Sequence, residues 1–172
     1  NIPNLRGLAS SYGLSYIPGS WMESIQVSKG TSSVKNGYES ITGQINVEYK
    51  KPTNGEKLFL NFYANQAGRL EGNINSSIQV NDRWSTALFG HVSNQSTLID
   101  HNGDGFIDDP VFTQVNLFNR WALQNDFMEG QFGVKYLMEE RKGGQKEYFT
   151  NSEGPEAFYG TEIKTDRLEA FS

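Results

Sequence analysis

The sequence predicts an all-β chain whose strands run antiparallel, up and down. Hydrophobic residues make up only 36% of the chain, yet aromatic residues reach 13% and 18 of the 172 residues are glycine, a composition that favours short strands and turns. From Lys57 onward, apolar and polar residues alternate in segments of about ten residues, which is the period of a strand with two different faces. No apolar run approaches the roughly 18 residues of a membrane-spanning helix, so a helical membrane protein is excluded.

Charge and cysteine content exclude further classes. The chain has no cysteine, so it has neither a disulfide framework nor a cysteine-based metal or redox site. Its net charge is −5 and its basic residues are scattered, which argues against a nucleic-acid partner. No nucleophile motif and no glycine-rich loop before a helix is present, so we expect no enzymatic activity and no organic cofactor.

Two short strands are predicted near the N-terminus. Residues 22–28 alternate between two faces, and Gly30 ends that strand. Residues 44–49 form the second strand, with one apolar face. Gly37 and Gly43 permit tight turns around the connection. Such a pair buries little apolar surface by itself.

Six longer strands are predicted in the remainder of the chain. They span residues 57–66, 70–80, 83–94, 111–123, 127–139 and 160–172. The fifth shows the clearest separation of faces. Its apolar face carries Met128, Phe132, Val134, Tyr136 and Met138. Its polar face carries Glu129, Gln131, Lys135 and Glu139, and therefore both signs of charge.

The connections between these strands differ in length. Short ones at residues 80–83 and 124–126 alternate with long ones at residues 95–110 and 141–159, a pattern typical of an outer-membrane barrel with short periplasmic turns. The short connection near Gly68 departs from it. Aromatic residues near strand ends fit either interfacial girdles or a soluble core. They are Tyr63, Trp84, Phe112, Trp121, Phe127 and Tyr136.

Three short motifs carry a resemblance to a known family. Residues 22–30 read Met-Glu-Ser-Ile-Gln-Val-Ser-Lys-Gly, residues 43–46 read Gly-Gln-Ile-Asn, and residues 50–52 read Lys-Lys-Pro. This resembles the end of the plug domain of TonB-dependent outer-membrane receptors, where an Ile-Glu-x-Ile-Glu-Val strand leads to Lys-Gly-Pro, a Tyr-Gly turn and a Gly-Gly-x-Ile-Asn strand ending in Lys-Lys-Pro. The chain departs from that pattern at three positions. They are Thr31 for proline, Asn36 for tyrosine before Gly37, and Thr42 for the first glycine of the pair.

The resemblance implies an architecture and a function. Residues 1–52 would be the C-terminal part of a plug, and residues 53–172 the first strands, about six, of an incomplete, plugged barrel of 22 strands. Such receptors lie in the outer membrane of Gram-negative bacteria and bind a scarce extracellular ligand such as a ferric siderophore, haem or cobalamin. An inner-membrane energy-coupling complex drives import through a segment upstream of the plug. Gly30 stands where the polysaccharide-importing branch typically has aspartate.

Residues 100–109 have the spacing of a calcium loop. Oxygen ligands fall at positions one, three and five, glycine at six and aspartate at nine, but Val111 stands where an EF-hand has its bidentate glutamate. The flanking elements are strands, so this is not an EF-hand module. The alternative is a metal-free loop that makes Asx turns. The candidate calcium ligands are Asp100, Asn102, Asp104, Phe106, Asp108 and Asp109.

Other polar residues are interpreted as structural or solvated. His91 in a strand and His101 in the acidic loop give little basis for a transition-metal site. The charged run at residues 139–142 enters a long loop and is expected to be solvated. Under an outer-membrane receptor interpretation, residues 142–159 could contact an extracellular ligand, whereas in the isolated chain they are expected to be a mobile, unoccupied loop.

A second interpretation needs no membrane. A soluble, calcium-stabilised β-sandwich that binds a glycan or a protein would also explain the acidic loop and the aromatic residues. Under the receptor interpretation, an open six-stranded sheet has unpaired edges, so the isolated chain should associate with itself through them.

Overall fold

The computed structural model describes residues 7–30, 43–151 and 157–172, and it is an all-β structure, as predicted. Thr31, Asn36, Gly37 and Thr42 lie outside the described residues. The strands are β1 (Met22–Lys29), β2 (Gly43–Tyr49), β3 (Phe59–Ala64), β4 (Arg69–Gln79), β5 (Trp84–Gln95), β6 (Val111–Gln124), β7 (Glu129–Gly144) and β8 (Gly160–Phe171). Two 3-10 helices (Gly7–Tyr16 and Gly19–Trp21) and one short α-helix, α1 (Lys146–Thr150), complete the described elements. None of the described helices is long and apolar enough to cross a membrane.

The strands form two antiparallel sheets. β1 pairs with β2, and β3 to β8 form one sheet in which each strand lies beside its neighbour in sequence. The predicted up-and-down order is therefore confirmed. β7 extends to Gly144, beyond the predicted end at residue 139, because residues 140–144 pair with residues 160–164 of β8.

Short turns and long connections lie at opposite ends of the strands in the larger sheet. At the end that we call the turn edge, Asn81 and Asn125 each accept hydrogen bonds from two backbone N–H groups, at 2.9 Å, and close the β4–β5 and β6–β7 turns. At the opposite, loop edge lie the long β5–β6 and β7–β8 connections. The β3–β4 connection at this edge is a tight turn, in which Gly68 has a φ of 78° that glycine adopts without strain.

The two faces of the larger sheet have inverted polarity. Along β7, Leu137 is 1% exposed and its neighbour Met138 is 39% exposed, so we call the covered face inner and the other face outer. Polar and charged side chains dominate the inner face. Buried inner-face examples are Asn73, His91, Gln114, Asn116, Arg120, Lys135, Glu139 and Arg141. Exposed outer-face examples are Leu70, Ile74, Leu88, Val92, Leu117, Phe132, Val134, Tyr136 and Leu168.

The aromatic residues near strand ends divide between the two faces. Trp84, Trp121 and Phe132 contact one another on the outer face near the turn edge, with ring centroids 6.1 to 6.3 Å apart. Phe112 is buried on the inner face beside Arg141, its cross-strand partner. The girdle interpretation is therefore wrong for Phe112, because its strand position turns it away from the outer surface.

Candidate functional site

The N-terminal segment covers the inner face, and near the turn edge it does so through aromatic rings. Trp21 is fully buried, with ring centroids 5.7 Å from Phe89 and 6.0 Å from Phe118. Tyr49 packs edge-on against Phe118 at 5.2 Å. We call Trp21, Tyr49, Phe89 and Phe118 the Trp21 anchor. Such ring pairs add roughly 0.5–1.5 kcal/mol each beyond the area they bury.

Backbone hydrogen bonds and one buried cation reinforce this anchor. The Lys50 N–H donates to the Trp21 carbonyl at 2.9 Å, which joins the start of β1 to the end of β2. Arg120 donates from Nη1 to the carbonyls of Tyr49 at 2.9 Å and Lys50 at 3.1 Å, and from Nη2 to Gln131 Oε1. A single guanidinium on β6 thereby fixes the end of the smaller sheet to the larger one.

Nearer the loop edge, the same segment is held by polar side chains. Gln114 Nε2 donates to the Ser15 carbonyl at 3.1 Å, and Lys135 Nζ donates to the Tyr16 carbonyl at 3.3 Å. The Tyr16 hydroxyl lies 3.5 Å from Glu139 Oε1 and 3.4 Å from Thr165 Oγ1. These contacts reach across three strands of the sheet.

Glu139 and Arg141 form a buried ion pair on the inner face. Arg141 donates from Nε and Nη2 to the two carboxylate oxygens at 3.1 and 3.0 Å. Its guanidinium lies between the rings of Tyr12, at 4.2 Å, and Phe112, at 4.4 Å. The expectation of solvated charge is therefore wrong for this pair. The sequence predicts the polar face of β7, but it gives no sign that Tyr12 and Tyr16 cover that face.

Polar side chains between these two regions form a strip along the inner face. His91 Nδ1 lies 2.8 Å from Asn73 Oδ1, which also accepts a hydrogen bond from Ser20 Oγ at 3.0 Å, so His91 has a structural role. Ser93 Oγ and both polar atoms of the Asn116 amide are buried with no hydrogen-bond partner in the described part of the chain. Native proteins rarely leave such groups uncompensated.

Two tyrosines of the N-terminal segment keep their protons at neutral pH. Burial raises the pKa of Tyr49 to about 12, and burial likewise raises the pKa of Tyr16. Both phenols therefore act as neutral hydrogen-bonding groups. Lys135 Nζ lies 3.5 Å from the Tyr49 hydroxyl and is a donor to it.

The acidic loop is closed by its own carboxylates. Asp100 accepts from the Gly103 N–H at 2.8 Å and the Gly105 N–H at 3.3 Å, and Asp104 accepts from the Phe106 N–H at 2.8 Å. These are the Asx-type turns of the metal-free alternative. Asn102 Nδ2 donates to Asp104 at 3.0 Å, which keeps these two candidate ligands adjacent.

The remaining candidate ligands, Phe106, Asp108 and Asp109, make contacts of their own in the same loop. Asp108 accepts hydrogen bonds from the backbone and the ring of His101, at 2.8 and 2.9 Å, which lower the pKa of its carboxyl. Asp109 is exposed, and the Phe106 backbone forms a bridge with Gln145. No group of three or more acidic or histidine side chains is positioned to hold a metal within residues 7–30, 43–151 and 157–172. Calcium binding stays a prediction.

The two long connections contact each other at the loop edge. The Ile107 N–H donates to the Gly144 carbonyl at 3.0 Å, and the Lys146 N–H donates to the Gly105 carbonyl at 2.8 Å. The rings of Phe106 and Tyr159 lie 6.4 Å apart. Beside these contacts is an open groove of about 360 Å³, whose lining includes Leu98 and Phe149. The acidic loop and the β7–β8 connection thus form one continuous surface.

No protein-family model, curated protein or solved structure matches the chain.

Proposed function

We propose that the chain is part of a TonB-dependent outer-membrane receptor, with residues 1–52 from its plug and residues 53–172 from its barrel. The observation that carries this proposal is the inverted polarity of the six-stranded sheet. Leu117 on the outer face is 49% exposed, while its neighbour Asn116 on the inner face is 0% exposed. Water favours the opposite arrangement, whereas lipid outside and a filled lumen inside favour this one.

The dimensions of the outer apolar band support a membrane environment. The outward-facing apolar positions run from Met128, which directly precedes β7, to Met138 on β7, a rise of about 33 Å along an extended chain. A strand tilt of roughly 40° reduces this to about 25 Å, the height of the apolar band of an outer-membrane barrel.

Aromatic rings border the apolar band on one side and charged side chains border it on the other. Near the turn edge lie the rings of Trp84, Trp121 and Phe132, which suit the interface between lipid and water. Near the loop edge the outer face carries an ion-pair network. Lys142 Nζ lies 2.7 Å from Glu140 and 3.2 Å from Glu162, and Glu162 lies 3.1 Å from Lys164. Because outer-membrane barrels have short periplasmic turns and long extracellular loops, the turn edge would face the periplasm and the loop edge the outside.

The covered inner face fits a plug inside a lumen. The N-terminal segment that resembles a plug packs on the polar face and not on the apolar one. In this proposal the loop edge meets a ferric siderophore, haem or cobalamin, and an inner-membrane energy-coupling complex acts on the plug. The chain carries no reaction of its own.

Tryptophan quenching tests the environment of the outer face. Variants that keep one tryptophan each, made by replacing the other two with phenylalanine, are transferred into brominated dodecyl maltoside. Bromine on the alkyl chain quenches only rings in contact with it. We expect Trp84 and Trp121 to be quenched strongly and Trp21 weakly. Equal quenching of all three, or a chain that stays monodisperse without detergent, would overturn the proposal.

The soluble β-sandwich is the competing function. A sandwich would pack the apolar face of the larger sheet against a second sheet. The only other sheet in the described residues, β1–β2, contacts the inner face through Tyr49, and Leu117 on the outer face remains half exposed. Equal quenching of the three tryptophans, or a chain that stays monodisperse without detergent, would favour this alternative.

A further inference from the structure

The open groove at the loop edge lies on the outer face of the larger sheet. Asn94 of β5, Thr113 of β6 and Glu140 of β7 line it and are direct cross-strand neighbours. Leu98 of the β5–β6 connection and Phe149 of α1 complete this part of the lining. The volume of about 360 Å³ lies within the roughly 300–1,000 Å³ that is typical of small-molecule sites.

The charged groups in and beside the groove neutralise one another. Lys142 Nζ lies 2.7 Å from Glu140 and 3.2 Å from Glu162, and Lys164 Nζ lies 3.1 Å from Glu162. Two cations therefore balance two carboxylates, so the groove has no excess charge to attract an ionic ligand. Hydroxyl groups, in contrast, can donate to a carboxylate and accept from an ammonium group. The charge pattern favours an uncharged ligand that is rich in hydroxyl groups.

The rest of the lining suits a sugar. Asn94 Nδ2 donates to Thr113 Oγ1 at 2.9 Å, which leaves the amide oxygen to accept from a hydroxyl group. Leu98 and Phe149 supply apolar surface beside these polar groups. A sugar ring has hydroxyl groups around its rim and apolar C–H groups on its faces, so it can contact both kinds of surface.

The groove is continuous with the outer apolar band. On the same face, Thr113 is followed along β6 by Val115 and Leu117, and Asn94 is preceded along β5 by Val92. Val92 and Leu117 are both about half exposed. A ligand with its sugar in the groove can therefore cover apolar side chains with an attached alkyl chain.

We propose that this groove binds the sugar head group of a glycolipid whose alkyl chains lie on the outer apolar band. The inference rests on the proposed function, because it takes the outer face to meet lipid. The balanced charges select a sugar over a charged head group, and the adjoining band selects a lipid over a free sugar.

Protection of a single cysteine tests the inference, because the chain has no native cysteine. Ser96 lines the groove and is exposed, so Ser96→Cys in a chain folded in dodecyldimethylamine oxide micelles should react with a small hydrophilic maleimide. Dodecyl maltoside, which has a sugar head group, then replaces an increasing fraction of that detergent. We expect the labelling rate to fall about tenfold as the groove approaches saturation. The exposed control Asp82→Cys, at the turn edge, should keep its rate.

Two further probes and two variants identify what is bound. Dodecylphosphocholine, which has a charged head group, and free maltose, which has no alkyl chain, should leave the Ser96→Cys rate unchanged. Phe149→Ala should abolish the protection by dodecyl maltoside. Phe127→Ala, which removes an exposed ring at the turn edge, should preserve it. Thr113→Cys is the second probe of the groove if Ser96→Cys does not fold.

The outcomes separate this inference from the proposed function. Equal protection by dodecylphosphocholine or by free maltose would overturn the inference. If dodecyl maltoside gives no protection in a chain that needs detergent, the groove proposal alone fails. A chain that stays monodisperse without detergent contradicts the proposed function and, with it, the lipid in the groove.

Discussion

Glu139 and Arg141 show how strongly a residue depends on the face it occupies. Glu139 is fully buried and is paired with Arg141, whereas the next residue, Glu140, is exposed and is paired with Lys142. In the sequence these four residues are a single charged run. Alternation along β7 puts the two pairs on opposite faces, and the N-terminal segment, more than a hundred residues away, covers only the inner pair.

Removing the buried carboxylate should therefore be costly. Glu139→Gln leaves the Arg141 guanidinium buried without its counter-charge, and we expect the free energy of unfolding to fall by about 3 kcal/mol. The matched change Glu140→Gln breaks a solvated pair and should cost less than about 1 kcal/mol. Urea unfolding of both variants in detergent micelles measures the difference. Similar losses would mean that Glu139 is not buried as described.

The acidic loop offers a second test at single residues. We expect calcium to bind with a Kd of about 10⁻⁴ to 10⁻³ M, and Asp104→Asn to weaken binding by at least about tenfold through loss of a charged ligand. Asp82→Asn in the β4–β5 turn is the control and should have no effect. Isothermal titration with calcium chloride gives the affinities. If the unmodified chain gives no heat of binding, the loop does not bind calcium and its acidic residues serve only to form the Asx turns.

At the scale of elements, the strands were predictable and the segment that covers them was not. β3 to β8 show period-two alternation between turn residues, a local signal that survives in a single sequence. The sequence does not predict the extra length of β7, because residues 140–144 are charged or glycine and are held in the strand by pairing with β6 and β8. The 3-10 helices at Gly7–Tyr16 and Gly19–Trp21 have no such period. The alternation of the sequence therefore indicates the polar strip, but it gives no sign that the strip is buried.

Two glycines in β7 differ in how closely neighbouring atoms approach them, and substituting each tests the packing between strands. A Cβ at Gly133 would lie 2.7 Å from the Phe171 ring and 2.9 Å from the Asn119 carbonyl oxygen, whereas a Cβ at Gly130 would meet nothing within 4 Å. We expect Gly133→Ala to lower the free energy of unfolding by about 1–3 kcal/mol. Gly130→Ala should be neutral or stabilise by about 0.5 kcal/mol. The same urea unfolding measures both, and equal effects would contradict the β7–β8 packing.

At the scale of the whole molecule, the larger sheet is open in the described structure. β3 and β8 each pair on one side only. Unpaired strand edges next to an apolar face promote association. We expect the 172-residue chain to form oligomers without detergent, as seen by sedimentation velocity over a range of concentrations. A compact monomer that binds no apolar dye would contradict this prediction and favour the soluble alternative.

The polarity of the larger sheet is the central claim, and one pair of substitutions tests it most directly. Leu117 lies within the outer apolar band, and Thr113 lies on the same strand and face, nearer the loop edge. In a lipid bilayer, Leu117→Arg should lower the free energy of unfolding by about 2–4 kcal/mol and Thr113→Arg by about 0–1 kcal/mol. If both substitutions instead change stability by less than about 0.5 kcal/mol, as expected at a water-exposed surface, the outer face does not meet lipid.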